Sequence, residues 1–339
     1  MLSGSACVTP GSPIPFSIGR LTATNAVFNE RTVHAFDPLG RVLSDSQTTV
    51  TKDSPWTTET YTFAYAYNRD GSLASQTYPS GRVIQHAYDG SGRPYSTFEP
   101  GGGPSYVNST NYAPHGGLDH FQLGNLLVEQ TCYNDRLQPA ARRLGASAST
   151  ACAGQGADLL RLGFGYGAAG ANNGNMVEQT IWAPDDGSGS AWQVAQAYTY
   201  DQVNRIATAA ESKGGVQQWS RTYAYDHFGN RWLVGATGHT LHAATPTSAA
   251  HVEAATNRLA ASTGAAYDAA GNMTAHPFIT PGGGGMTYDA NNKMTAFAAT
   301  GVSVATKYDA EGRRVRKVHN GQTTVWVYDA FGKLAAEYT

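Results

Sequence analysis

The sequence predicts an all-β protein in which tandem hairpins build one long antiparallel sheet. Three observations predict it. A Tyr-Asp heptad recurs along the 339 residues. The chain carries 39 Gly and 19 Tyr while charged residues make up only 14%, and Tyr suits strands as Gly suits tight turns. The residues leading into a Tyr-Asp pair alternate, as in Thr323 to Tyr328, so Val325 and Val327 face one side and Trp326 and Tyr328 the other. Leu, Lys and Glu are sparse, and no stretch has the pattern of an amphipathic helix.

The repeat is clearest near the C-terminus. Tyr267-Asp268 with Gly271, Tyr288-Asp289, Tyr308-Asp309 with Gly312 and Arg313, and Tyr328-Asp329 with Gly332 follow one another at spacings of 21, 20 and 20 residues. Tyr88-Asp89, Tyr200-Asp201 and Tyr225-Asp226 with Gly229 carry the unit earlier in the chain, and Phe36-Asp37 and Tyr67-Asn68 are looser copies. Asp favours the first position of a turn and Gly the fourth, where it takes positive φ and lets the next strand start. Gly271 and Gly312 are therefore expected at positive φ. A second, inner turn falls at Asn320-Gly321 between two strand-like runs, the strongest short hairpin signal. As a two-residue loop it pairs Val318 with Thr323, Arg316 with Val325 and Val315 with Trp326. Thr300-Gly301 and Ser80-Gly81 read as comparable inner turns. Each Tyr is expected to pack against the neighbouring repeat, with the Arg or Lys after the Gly lying across a Tyr face.

Residues 1–35 read as an irregular N-terminal segment and 36–339 as the repeat array. Loop insertions are expected near 101–105, 145–157, 183–191 and 235–253, and Gly282 to Gly285 reads as a replaced hairpin tip. The net charge of −2 argues against a general nucleic-acid partner. No run approaches the roughly 18–20 apolar residues of a membrane span, and the first residues lack the basic and apolar regions of a signal peptide. Three cysteines exclude a disulfide framework; Cys132 and Cys152 either form one bridge or remain free thiols.

No catalytic, cofactor or metal site stands out. His239, His242 and His251 lie in an Ala/Thr-rich loop with Glu253 as the nearby carboxylate, which reads as a solvated loop rather than a metal site. Each repeat turn offers one Asp, fewer oxygens than calcium needs. Arg313, Arg314, Arg316 and Lys317 read as a solvated basic edge, with an anionic polysaccharide as the alternative contact. Neither a nucleophile elbow nor a phosphate loop occurs.

The recurrent Tyr-Asp-x-x-Gly-Arg unit resembles the YD repeats of bacterial Rhs proteins, of insecticidal Tc toxins and of animal teneurins. Tyr112 to Leu118 with Leu123-Gly124-Asn125, and Tyr133 to Pro139, resemble bacterial Rhs proteins too. The resemblance covers most of residues 36–339. It implies a β-sheet strip coiled into a hollow shell that encloses a C-terminal toxin, in a secreted or cell-surface system. The Asp-Pro segment at which bacterial members cleave themselves is not found after Tyr328. Asp37-Pro38 is similar to it only superficially and fits the repeat register. The expectation is a piece of a non-catalytic shell, with an exposed C-terminal edge, whose partners are a polypeptide cargo or the rest of the shell. A carbohydrate-binding adhesion module is the alternative.

Overall fold

The computed structural model describes residues 14–148, 158–185 and 191–339. Strands β1 (Ala23–Ala26), β2 (Asn29–Phe36), β3 (Val42–Asp53), β4 (Trp56–Tyr67), β5 (Leu73–Thr77) and β6 (Val83–Tyr88) come first. They are followed by β7 (Pro94–Phe98), β8 (Ser105–Tyr112), β9 (Leu118–Leu123), β10 (Val128–Tyr133), β11 (Pro139–Gly145) and β12 (Asp158–Gly165). Then come β13 (Glu178–Ala183), β14 (Trp192–Tyr200), β15 (Ile206–Lys213), β16 (Val216–Tyr225) and β17 (Arg231–Thr237). These strands form one 17-stranded sheet, and strands adjacent in sequence pair antiparallel, as a string of hairpins must. Two short ribbons follow: β18 (Val252–Glu253) with β19 (Arg258–Leu259), and β20 (Ala266–Tyr267) with β21 (Met273–Ala275). A six-stranded sheet of β22 (Met286–Tyr288), β23 (Met294–Ala299), β24 (Val302–Tyr308), β25 (Arg314–His319), β26 (Gln322–Tyr328) and β27 (Leu334–Tyr338) completes the chain. The helices among the described residues are three 3-10 turns, and the all-β class is as the repeat predicts.

The chain divides into two compact units. Unit 1 joins Met1–His86 to Ala266–Thr339, and unit 2 is Ala87–Ala265. In unit 1, β3 and β4 lie against β25 and β26. Tyr61, Phe63 and Tyr65 from β4 form a buried cluster with Val325 and Val327 from β26, the alternate positions expected to share one face. Gln47 ties the two layers together. Its Nε2 donates to the Trp326 carbonyl at 2.8 Å and its Oε1 accepts from the Tyr328 N–H at 3.0 Å. The Tyr65 hydroxyl accepts from the Ala330 N–H at 2.8 Å, and Tyr61 stacks on Tyr338 at 4.7 Å. Unit 2 is held by ladder pairing and cross-strand side chains, with Val128, Cys132, Val194, Ala209, Leu233 and Ala265 as its buried hydrophobic residues among those described.

Several expectations need correction. The segment through residue 35 is not irregular throughout. β1 and β2 occupy much of it, because Val33 and Phe36 supply buried apolar positions to a strand. The exposed C-terminal edge is as expected, but one face of the C-terminal hairpin is covered. Its Val325 and Val327 would be stranded in water if left bare, and β4 covers them. β27 does pair with β26 alone among the described strands. Ser80-Gly81 does not form an inner turn: Tyr78 N–H to Arg82 O and Gly81 N–H to Tyr78 O are the bonds of a Tyr-Asp turn, with Tyr78 in the place of Asp. Arg316 is no solvated edge residue. It shares a face with its ladder partner Val325 and is 4% exposed, its guanidinium holding both Asp53 oxygens at 2.8 and 2.7 Å. Cys132 is buried and disulfide-bonded, whereas Cys152 lies outside the described residues.

The inner hairpin has the expected register. Val318 pairs with Thr323 and Arg316 with Val325, where the ladder stops short of Val315 and Trp326. Asn320 and Gly321 have φ of 48° and 85°, the two positive values of a type I′ turn.

Because Phe63 is 1% exposed at the centre of the unit 1 core, Phe63→Ala is expected to destabilise by about 3–5 kcal/mol. Urea unfolding of both forms measures this, and a loss under about 1 kcal/mol would mean the two layers are not closed on each other.

Candidate functional site: the Tyr-Asp turn lattice

Among the described residues, thirteen turns share one hydrogen-bond pattern, starting at residues 37, 68, 78, 89, 113, 123, 134, 201, 226, 268, 289, 309 and 329. In each, the first residue's N–H donates to the carbonyl of the fifth, and the fourth residue's N–H donates back to the carbonyl of the first. The fourth residue has positive φ in all thirteen: nine Gly, including Gly271 at 93° and Gly312 at 78°, two Asn (Asn204, Asn292) and two Leu (Leu126, Leu137). This left-handed residue bends the chain so that the next strand starts on the correct ladder position.

Asp at the first position locks the turn from its side chain. Asp201 Oδ1 accepts the Val203 and Arg205 N–H groups at 3.0 and 2.9 Å, while its Oδ2 accepts Arg205 Nε at 2.7 Å. Asp37, Asp89 and Asp309 hold Arg41, Arg93 and Arg313 in the same way. At Asp226 and Asp268 the fifth residue is Asn230 or Asn272, whose amide makes the equivalent bond. Asp289 and Asp329 cap the backbone N–H groups of their turns through Oδ1.

The Arg then reaches the next repeat. The guanidinium of Arg41 lies over Tyr67 at 4.6 Å, Arg93 over Tyr112 at 4.3 Å, Arg205 over Tyr225 at 4.4 Å and Arg313 over Tyr328 at 4.9 Å. That Tyr returns a hydrogen bond. Tyr67 donates to the Val42 carbonyl, Tyr225 to Ile206, Tyr288 to Met273, Tyr308 to Met294 and Tyr328 to Arg314. The acceptor is always the residue just after the preceding turn. Arg205 also donates to the Asp226 carbonyl, and Asn272 to Asn292 Oδ1, one turn on. The stacking was legible in the sequence. The Asp–Arg clamp and the hydroxyl-to-carbonyl bond were not inferred from it, although the constant spacing from Asp to Arg carried that signal.

The carboxyls of Asp37, Asp89, Asp201, Asp226 and Asp268 sit below their ordinary value. For Asp201 the Arg205 N–H is the largest cause. For Asp226, Asp268 and Asp89 it is the side chain of Asn230, Asn272 and Arg93 respectively. At Asp37 burial pushes upward as the largest single effect, but the bonds from Arg41 and Leu39 together outweigh it. Asp45, in the unit 1 interior, is the opposite case. Burial raises its carboxyl against the pull of Arg31, which donates to it at 2.9 Å.

Asp37 is engaged by three N–H donors, so the Asp37-Pro38 bond belongs to a capped turn. The loop histidines serve local structure, His242 accepting from the Ala244 N–H and His251 from the Thr247 N–H. No cluster of three or more metal-ligating side chains occurs among the described residues. No helix among them is long and apolar enough to cross a membrane.

Comparison with known proteins places the fold. No family model matches the chain, and no curated protein is similar to it. Among solved structures, TcdB2–TccC3 without its hypervariable C-terminal region is similar at a TM-score of 0.59 and 14% identity, over 91% of this chain and 17% of that one. The Tc holotoxin pore of Photorhabdus luminescens matches with a TM-score of 0.59 and 14% identity, over 91% of this chain and 16% of that one. TcdB2–TccC3 with Cdc42 gives 0.57 and 13%, with the same coverage as the pore. The chain therefore has the all-β fold of a segment of these toxin proteins and spans about one sixth of their length.

Two outcomes are expected. Leu137→Gly should stabilise by about 1 kcal/mol, since a bulky residue at φ 61° is strained; a lower thermal midpoint would contradict the turn constraint. The depressed turn carboxyls contribute stability that is fully present above their ordinary value of 3.8 and lost as pH falls through the lower folded values. Urea midpoints should accordingly drop below about pH 4. Asp201→Asn should shallow that drop, and an unchanged acid limb would show that the clamp carries no linkage.

Proposed function

We propose that the chain is a non-catalytic wall segment of a β-sheet shell that encloses or presents a polypeptide cargo, in a secreted or surface toxin system of the Rhs type. The observation that carries the reading is the turn lattice. Its carboxylates lock each turn while its guanidiniums and tyrosine hydroxyls are directed at neighbouring repeats, as a load-carrying wall requires and a catalytic cleft does not. The fold similarity to TcdB2–TccC3 supports the same reading. The wall would join further strip of the same kind, and no cofactor enters.

The test is protease protection. The chain is expressed with the polypeptide encoded beside it in its reading frame, and both are challenged with a broad-specificity protease. The cargo is expected to survive in the complex and to be degraded when expressed alone. Equal digestion in both states would overturn the enclosure reading, and selective retention on a glycan array would favour an adhesion module.

A further inference from the structure

The inner turn between β25 and β26 carries a side-chain link to its neighbouring hairpin. Asn320 and Gly321 form its exposed two-residue tip. Asn320 also docks on β24. Its backbone N–H donates to the Ser303 carbonyl at 2.9 Å. Its side-chain Oδ1 accepts the Ser303 N–H at 2.7 Å, and its Nδ2 donates to the Gly301 carbonyl at 2.9 Å. The carboxamide thus stands in for strand backbone and carries the β24–β25 ladder past its last pair, Val304 with His319. Gly301, at φ 72°, belongs to the inner turn between β23 and β24. These bonds therefore tie one inner turn to the next.

The same dipeptide is chemically labile. A glycine after asparagine has no side chain to keep its nitrogen from the asparagine Cγ. In the reaction the Gly321 nitrogen bonds to Asn320 Cγ as the Cγ–Nδ2 bond breaks, and Nδ2 leaves as ammonia with the Gly321 proton. Water then opens the cyclic imide and leaves aspartate or isoaspartate at position 320. The docked turn opposes the first step. Both ends of the carboxamide are held on β24, and swinging Cγ onto the Gly321 nitrogen breaks both side-chain hydrogen bonds. The product cannot dock again in the same way. A carboxylate has no donor for the Gly301 carbonyl and repels it, and isoaspartate lengthens the backbone of a two-residue loop whose length sets the register. The other Asn-Gly pair, Asn173-Gly174, is restrained differently, because its Gly174 N–H is taken by Asn172 Oδ1 at 3.0 Å.

We propose that Asn320 is a deamidation site gated by the fold. Its amide survives while the two inner turns stay docked and hydrolyses when they part, after which the β24–β25 ladder stays frayed at that end. The only co-reactant is water. The modification would mark, irreversibly, those chains whose six-stranded sheet has opened at this corner.

The test is incubation of the full chain in mildly alkaline buffer, folded and in urea, followed by trypsin and mass spectrometry of the 318–333 peptide. Conversion in urea should be about tenfold faster or more, the effect of two hydrogen bonds lost before the reaction. Ser303→Pro removes the N–H that holds Oδ1, and should raise the folded-state rate several-fold while thermal melts show the chain still folded. Asn320→Asp, made directly, should lower the thermal midpoint and speed amide exchange at Ser303. Equal rates in the folded and unfolded chains, or no conversion in either, overturns the gated site. A folded Ser303→Pro chain that converts at the unchanged rate overturns the role of the docking bonds. If Ser303→Pro does not fold, Asn320→Asp decides: an unchanged midpoint with Ser303 still protected overturns the link between the turns.

Discussion

A single residue at positive φ closes each hairpin-to-hairpin turn, and the rest of the structure depends on it. The first position varies, with Tyr78, Ala113 and Leu123 standing where the other turns have Asp or Asn. The fourth position keeps its left-handed backbone in every one of the thirteen turns, even where Leu126 and Leu137 must adopt it. An L side chain resists that conformation, so its persistence marks it as the geometric requirement. Asp reinforces it. A carboxylate that accepts two backbone N–H groups and a guanidinium fixes five successive residues at once, and the ordered Arg is then aimed at the next Tyr. Local turn geometry becomes repeat-to-repeat adhesion through Asp, Arg, Tyr and the carbonyl beyond the turn.

The two units use this device under different conditions. Unit 1 gains a second source of stability, because β3 and β4 meet β25 and β26 and bury Phe63, Tyr65 and Val327. That closure carries a cost in polar burial. Gln47 must satisfy the Trp326 carbonyl and the Tyr328 N–H, and Asp45 keeps a carboxyl raised by burial beside Arg31. Such groups add little net stability but penalise a shifted alignment of the layers, since any slip leaves them unpaired. Unit 2 has fewer buried apolar residues among those described, so its cross-strand contacts matter more. The Arg143–Asp158–Gln130 cluster is its most buried polar knot.

The repeat, the all-β class and the inner hairpin register were legible because each rests on local rules. Asn-Gly permits two positive φ values, and the period-2 pattern assigns faces. Packing between distant segments was not legible. Arg316 sits in a run of cations and looks solvated until Asp53, far back in the sequence, is brought beside it. Val325 and Val327 show which face is apolar but not that β4 will cover it. Ser80-Gly81 misled because a Gly-containing dipeptide does not distinguish a two-residue loop from a five-residue one. The hydrogen bonds of Tyr78 make that distinction.

Low identity to TcdB2–TccC3 follows from the same economy of constraint. A repeat needs only a left-handed fourth residue; an Asp or Asn at the first, an Arg or amide at the fifth and a Tyr ahead of the turn strengthen it without being required. The intervening strand positions need only alternate. Most of the sequence is then free to drift while the ladder stays in register, which is how 14% identity coexists with a common fold over 91% of the chain. The same reasoning directs attention away from the repeat motif when a specific interaction is sought. Tyr, Asp, Gly and Arg at the turns answer to the sheet itself. Specificity must come from positions the repeat leaves unassigned.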